Sequence, residues 1–575
     1  MIKLNRENII TIFLLFFTCS VSLPKVDNII EIGIVHSELT KQLLYKNNDR
    51  FYPILDWELF LLNNKLSYSV IEDKDLNSLG KYEFDILILP SVEILSDEAI
   101  ENLKDFLSAG KSIFVLGKLG SYDPQLKTRM PDGLEILAGL NITEIPVEDK
   151  LSENHSFFNS NFLTQDLNMD LEYLILNNFN PLYANEIPLN ANPLGNYLLD
   201  HYKEDRVSNF TGAVAIEKEK GKVLWFGFQL AQISLDREHR SFFDQIIINA
   251  INWLAGNPLI WVNSFPKFYS SATLFSVWIN NINTTLNKEL SIYKKLNVPL
   301  NFFISPLEIK KSFEEVYKLS SVGSLNLFFD NFKYLNSDTT QIQMVCEESS
   351  KILKAGSRQE YFGVQTFNLP ELHIYKSLLK NNFDYFLNPE LSFLFIKGQE
   401  DENELYGIKT NYINNPVDLV EGNIKNDPQK DNDLYKNLSK TGSIISHIIM
   451  NNLTFNLNRT IEEKLKFIIN SSMLNNSYIT TYPDLINWIK TKNSIEVNIF
   501  DVKDEEIIKV EIKNVGNAIA EQIGINISIP SRCRNPKLAV NNFELNYNIE
   551  TGYYNLFIPF LHSEQELNLE IEYRK

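Results

Sequence analysis

The chain is poor in the residues that most often carry chemistry. Its 575 residues include only three cysteines, Cys19, Cys346 and Cys533, so no disulfide framework holds it together. There are seven histidines, and no two form a His-x3-His pair. No Gly-x-Ser-x-Gly elbow occurs, which leaves a serine hydrolase without its nucleophile turn. Gly110-Lys111-Ser112 is no phosphate loop: Asp105 stands where the leading glycine would be, and the order is helix, turn, strand. Basic residues number 54 against 73 acidic, a net charge of −19. Such a chain repels phosphate, and this excludes nucleic acid as a partner. Beyond the N-terminus no apolar run approaches the roughly 20 residues that span a bilayer.

What is present begins with an export pattern. Lys3 and Arg6 precede the apolar run from Ile9 to Phe17, and the small residues Ser20-Val21-Ser22 follow. This order is that of a secretory signal over residues 1–22, cleaved after Ser22. The expectation is an exported protein, periplasmic, outer-surface or secreted, with no membrane span once the signal is removed. Cys19 offers a lipid anchor as an alternative, although Phe16, Phe17 and Thr18 fit a lipoprotein signal poorly. Apolar residues make up 44% of the chain and aromatics 12%, enough for several cores. The length suits roughly three or four domains.

Three textures follow one another. Residues 28–256 alternate strands and helices: Ile29 to Val35, "FDILILP" from Phe84, a helix from Ser96 to Ser108, then "SIFVL" from Ser112. Ser96 caps that helix, Asp97 and Glu98 suit its first turn, and Gly110 ends it. Strand, helix, strand in this order implies a parallel sheet. Asn257-Pro258 breaks the pattern. Residues 265–492 alternate again, interrupted by the polar stretch Lys397 to Lys440, which reads as a surface excursion. From Ser494 to the end, apolar and polar residues alternate with period two, the pattern of a β-sandwich.

Residues 84–122, "FDILILPSVEILSDEAIENLKDFLSAGKSIFVLGKLGSY", resemble the class I glutamine-amidotransferase-like domains found as accessory units in bacterial glycoside-processing proteins. No cysteine falls in this unit, so the resemblance implies a structural or interaction role. Residues 265–492 resemble the polysaccharide deacetylase family, on "SSATLFSVWINN", "KKLNVPLNFFISP", "LPELHIYKSLLKNNFDYFLNP" and "TTYPDLINWIKTKNSIEV". The fold expected is therefore an α/β multidomain chain. A flavodoxin-like or amidotransferase-like parallel sheet comes first, then a deacetylase-like (β/α) barrel, then a C-terminal β-sandwich over 494–575.

The deacetylase resemblance implies a divalent metal held by one Asp and two His, with a second Asp as base and a later His as acid. Here the paired acids correspond to Asn280 and Asn281. Counted from Gly323, the metal histidines correspond to Phe329 and Lys333. An amide is neither base nor anionic ligand, and a lysine repels a cation. His447 falls where the late catalytic His would lie, yet a histidine among isoleucines is more often a core residue. Asp330, Asp338, Glu347 and Glu348 are nearby acids whose spacing fits no metal motif. The expectation is a degenerate site (Asn280, Asn281, His447), no metal or other cofactor, and a glycan-binding or envelope scaffold protein with a polysaccharide or envelope component as partner. Two alternatives stand beside it: an active carbohydrate deacetylase or glycan hydrolase with rewired ligands, and a protein-interaction component of surface or secretion machinery.

Overall fold

The structure, a computed structural model, describes residues 30–45, 53–144, 151–158, 161–165, 173–175, 182–199, 207–218, 220–233, 237–279, 291, 294–311, 313–328, 339–357, 359, 361–365, 377–388, 394–397, 404–409, 411–413, 442, 444–450, 458–502, 505–530, 533–539, 543–548 and 551–574. The signal segment and Cys19 lie outside them.

The first unit opens with β1 (Ile32–His36), α1 (Glu38–Leu43), α2 (Pro53–Asn63), β2 (Tyr68–Glu72), a 3-10 helix (Asp73–Lys81), β3 (Ile86–Pro90), α3 (Asp97–Ser108) and β4 (Ser112–Leu116). It continues through α4 (Gly133–Ala138), β5 (Asn141–Glu144), β6 (Leu151–Phe157), β7 (Tyr173–Ile175), β8 (Leu182–Glu186), β9 (Ala191–Leu199), β10 (Val207–Lys218), β11 (Gly221–Phe226) and α5 (Arg237–Leu254). The sheet order is β2-β1-β3-β4-β11-β10-β9-β6-β7. The first five strands are parallel, as the strand-helix-strand order implies. From β10 onward the pairing turns antiparallel, so the sheet is mixed.

The parallel strands read as unbroken apolar runs because both faces are covered. On β3, Ile86 and Ile88 join the core under α2 and α5, while Leu87 and Leu89 join the core under α3 and α4. Ser96 caps α3 by accepting from the Ala99 amide at 3.0 Å, and Gly110 follows its end with φ 87°.

β12 (Leu259–Val262) comes next and sits within the expected break. It pairs antiparallel with residues 525–528, far along the chain. Leu259 and Trp261 face the core of the first unit, while Ile260 and Val262 face that of the C-terminal sandwich. Trp261 meets the Tyr553 ring edge-on at 5.0 Å.

The second unit holds β13 (Ser271–Ile279), β14 (Leu300–Ile304), α6 (Pro306–Lys311), α7 (Phe313–Ser320), β15 (Gly323–Phe328), α8 (Thr339–Gly356), β16 (Gly363–Gln365), β17 (Tyr385–Asn388), β18 (Leu394–Lys397), β19 (Glu404–Lys409), β20 (Asn411–Ile413), β21 (Ile444–Met450), α9 (Asn458–Leu474), β22 (Ser477–Thr480) and α10 (Tyr482–Asn493). Its order is β18-β19-β17-β16-β15-β14-β13-β21-β20, with β22 on the first half of β13. The sheet is parallel except for β18 and curls into a half-barrel. Among the described residues β18 and β20 do not pair with each other, so the expected barrel is open. The polar stretch read as an excursion contributes β19 and β20. Their mixed composition hides them, because their pairing partners are remote in sequence.

The last unit comprises β23 (Ile495–Val502), β24 (Ile507–Asn514), β25 (Ala520–Ser528), β26 (Arg534–Leu538), β27 (Leu545–Asn548), β28 (Tyr553–Leu561) and β29 (Glu566–Arg574). Two four-stranded antiparallel sheets, β12-β25-β28-β27 and β23-β24-β29-β26, enclose one core. Among the described residues no helix is long and apolar enough to cross a membrane.

Candidate functional site

Two places gather polar side chains at strand positions. The first is the inner face of the curled sheet. On β13 alternate residues divide: Ala272, Leu274 and Trp278 point inward with Phe303, Phe328, Tyr385 and Tyr482, while Phe275, Val277 and Ile279 point to the helix layer. The inward polar groups bond to one another. Trp278 Nε1 donates to Gln365 Oε1 at 3.1 Å. Tyr385 donates its phenol to Asn326 Oδ1, Asn326 Nδ2 donates to Ser324 Oγ at 3.3 Å, and Ser324 Oγ donates to Asn301 Oδ1 at 2.8 Å. The Tyr482 amide donates to the same Asn301 oxygen at 2.7 Å, and Ser276 and Ser446 meet at 2.7 Å. Burial pushes the Tyr482 phenol above its usual range, against the pull of Ser446 and Ser276. Among the described side chains of these strands, the inner face carries no acid, lysine, arginine or histidine.

His447 is not part of that face. Its neighbour Ser446 points inward, and strand side chains alternate, so His447 points outward. It is 2% exposed, with its ring stacked on Phe275 at 5.7 Å. Asn280, Asn281, Phe329 and Lys333 lie outside the described residues, as do Asp330 and Asp338. Glu347 pairs with Lys351 at 2.6 Å and Glu348 with Lys310, both from α8. Burial pushes the Cys346 thiol up to about 12, which leaves it unreactive at neutral pH. Among the described residues no three His, Cys, Asp or Glu are grouped to hold a metal.

The second place is the C-terminal end of the first sheet. The chain runs from β1 to β2 on one side, then returns to β3 on the other. Strand ends part where the order reverses, and such switch points are where open α/β sheets take ligands. Three segments meet there. Asp73 Oδ2 lies 3.0 Å from Ser37 Oγ and accepts from the Leu39 amide at 2.8 Å. Ser37 Oγ lies 2.7 Å from Thr40 Oγ1, which accepts from the amides of Glu93 and Ile94 at 3.1 and 3.2 Å. This chain pins the turn after β3.

On that turn, Ser91 has φ 52°, a left-handed conformation that costs a non-glycine residue about 1–2 kcal/mol. It is 7% exposed, and its hydroxyl has no hydrogen-bond partner among the described residues. Glu93 is 8% exposed and accepts from the Tyr45 phenol at 2.7 Å. Burial, then the Glu93 charge, raises the Tyr45 phenol above its usual range. Lys118 donates to Glu144 at 2.6 Å. Burial pulls the Lys118 ammonium down, but the bond and charge of Glu144, then the charge of Glu93, leave it raised. Gly117 (φ 77°) lies next to Ser91 and Gln229. A Cβ there would come within 2.7 Å of Gln229 Nε2 and 3.6 Å of Ser91 Oγ.

Sequence reasoning missed this cluster. The available signal was "PSVE", small and charged residues directly after a fully buried strand. Thr40, Tyr45 and Asp73 carry no such signal, because the fold brings them in from separate segments.

No protein-family model matches the chain, and no curated protein matches it. Solved structures show distant similarity. A Mycobacterium smegmatis protein described as a polysaccharide deacetylase is 12% identical, over 40% of this chain and 94% of that one, with a TM-score of 0.31. A CE4-family pseudoenzyme of Bacillus anthracis is 11% identical, over 38% and 65%, at 0.25. A β-galactosidase of Bacillus circulans is 14% identical, over 41% of this chain and 33% of that one, at 0.28. The chain thus spans about a third of the length of the galactosidases it matches. These are distant likenesses of backbone and carry no function over to this chain.

Proposed function

We propose that this is an exported, non-hydrolytic glycan-binding or envelope scaffold protein. One observation carries the reading. Among the described residues, polar inward positions of the curled sheet hold Ser276, Trp278, Asn301, Asn326, Gln365, Tyr385 and Ser446, all neutral, and each bonded to another of them or to Ser324. Metal-assisted hydrolysis needs anionic or imidazole ligands and a base, and none of these groups supplies either. Such a sheet serves as a rigid support for surfaces that bind, and hydroxyl, amide and aromatic groups are the chemistry that recognises sugars.

The test joins binding to turnover. The purified protein should sediment with insoluble chitin, peptidoglycan or xylan, and should release no acetate from their acetylated forms with zinc, cobalt or nickel supplied. Acetate release that disappears on chelation would promote the enzyme alternative. Failure to sediment with every polysaccharide would remove the glycan reading. N-terminal sequencing of the mature protein should begin near Leu23; a mature chain that retains Met1 would remove export by a cleaved signal.

A further inference from the structure

Helix α2 is apolar on both sides. Ile54, Trp57, Phe60 and Leu61 are buried in the core of the first unit, where the Trp57 ring meets Phe114 of β4 edge-on at 5.4 Å. Leu55, Leu59 and Leu62 recur at i, i+4 and i+7 and form a second apolar stripe, 49%, 49% and 61% exposed. A helix that is apolar all round is ordinarily covered on both sides. One exposed leucine needs no explanation, but three on one stripe do.

The stripe lies beside an open sheet edge. β2 ends the first sheet, and among the described residues it pairs only with β1. Val70 stands in register with Ile34, on the face that α2 covers. Ile34 is fully buried there, yet Val70 is 41% exposed. The Tyr68 phenol of β2 donates to Glu58 of α2, which ties strand and helix into one surface. Edge strands are commonly blunted by a proline, a lysine or a bulge. Tyr68–Glu72 has none of these, and its ladder with β1 runs without a register shift.

Charge selects the occupant. Exposed Lys65 precedes β2, while Glu72 and Asp75 stand at its other end. A second copy turned about a two-fold axis at Val70 runs antiparallel, so the basic end of each copy meets the acidic end of the other. Val70 then faces Val70 of the second copy, Tyr68 faces Glu72, and no two like charges stand opposite on the strands. An axis normal to the sheet keeps both α2 helices on one face, with their leucine stripes toward the same side. The net charge of −19 opposes association, but at physiological salt that repulsion is screened beyond about 8 Å.

We infer that the β2 edge and the Leu55–Leu59–Leu62 stripe form a docking surface for a second copy of this chain, joining two first sheets into one across a two-fold axis. The inference goes beyond the glycan-binding reading and stands independently of it. One short strand and one leucine stripe per copy make a small interface, so a dissociation constant on the order of micromolar is expected.

Sedimentation velocity of the full mature chain, from about 1 to 100 μM and at physiological salt, tests it. The chain should pass from monomer to dimer within that range. Leu59→Lys and Val70→Lys should each raise the dissociation constant about tenfold or more, since each sets like charges against each other across the axis. The melting temperature of dilute Leu59→Lys should match that of wild type, because this exposed side chain lies outside the cores. Under an added mild oxidant, Val70→Cys should crosslink into a covalent dimer, because residues opposite each other on antiparallel strands bring their Cβ atoms within disulfide reach. Leu307→Cys, exposed on α6 of the second unit, should not. A monomer at every concentration would overturn the inference. So would a dimer that Leu59→Lys and Val70→Lys leave intact. A dimer weakened by Leu59→Lys but not crosslinked through Val70→Cys would overturn the strand pairing.

Discussion

The two parallel sheets treat polar groups in opposite ways. On the inner face of the curled sheet, Trp278 and Gln365 are neutral and bonded to each other, and so are Asn301, Ser324 and Asn326. In the first sheet the strand ends keep a buried carboxylate, Glu93, and a serine with a positive φ, Ser91. A bonded neutral network adds stability and uniqueness, whereas a strained backbone and a buried charge cost stability. The curled sheet, which the sequence marks as the place for chemistry, is the quieter of the two.

The comparison breaks most visibly at Asn301. Asn301→Ala would strip a partner from the Tyr482 amide, the Ser324 hydroxyl and the Phe275 carbonyl. A loss of roughly 3 kcal/mol or more is expected in denaturant unfolding, at about 1–3 kcal/mol for each buried group left unpaired. A loss below about 1 kcal/mol would mean that the inner face is hydrated and open.

A second effect lies inside the first unit, where a buried histidine is held uncharged. His155 is fully buried among Phe157, Tyr197 and Phe228, and burial lowers its pKa from 6.5 to about 3. The unfolded chain therefore binds the extra proton first, so stability is complete above about 6.5 and falls as pH drops toward about 3. At about pH 5 the loss is roughly 2 kcal/mol, from about 1.4 kcal/mol per pH unit. Replacing His155 with leucine should flatten this part of the stability–pH curve. If wild type and His155→Leu lose stability in parallel between pH 6.5 and 4, the histidine is not buried neutral.

The smallest effect sharpens the contrast. Ser91→Gly should raise stability by about 1 kcal/mol, because glycine adopts a positive φ freely. A drop in melting temperature would show that the serine hydroxyl supports the fold, and the two sheets would then differ less than the geometry indicates.

Much of the architecture was legible because it is local. The cap at Ser96, the apolar face of α3 and the turn at Gly110 all sit within about four helical turns of sequence. The period-two texture after Ser494 likewise describes the sandwich strands directly. What escaped reading is non-local. β12 looked like a break because Asn257-Pro258 precedes it, yet Leu259, Ile260, Trp261 and Val262 alternate between two cores whose other halves lie hundreds of residues apart. β19 and β20 were hidden for the same reason: their ladders run to β17 and β21. The alternation of Ser446 and His447 was visible in the sequence, but which of them faces inward was not.

From the sequence alone came the element types, the shortage of catalytic residue types and the order of three differently patterned units, since propensity, periodicity and composition act over a few residues. Tertiary structure decided the rest. It turned His447 outward, left β18 and β20 unpaired with each other among the described residues, shared β12 between two cores, and brought Thr40, Asp73, Ser91 and Glu93 to one switch point. Each of these depends on which strand lies beside which. Strand order is set by the burial of whole faces against partners distant in the chain, and no local pattern specifies it.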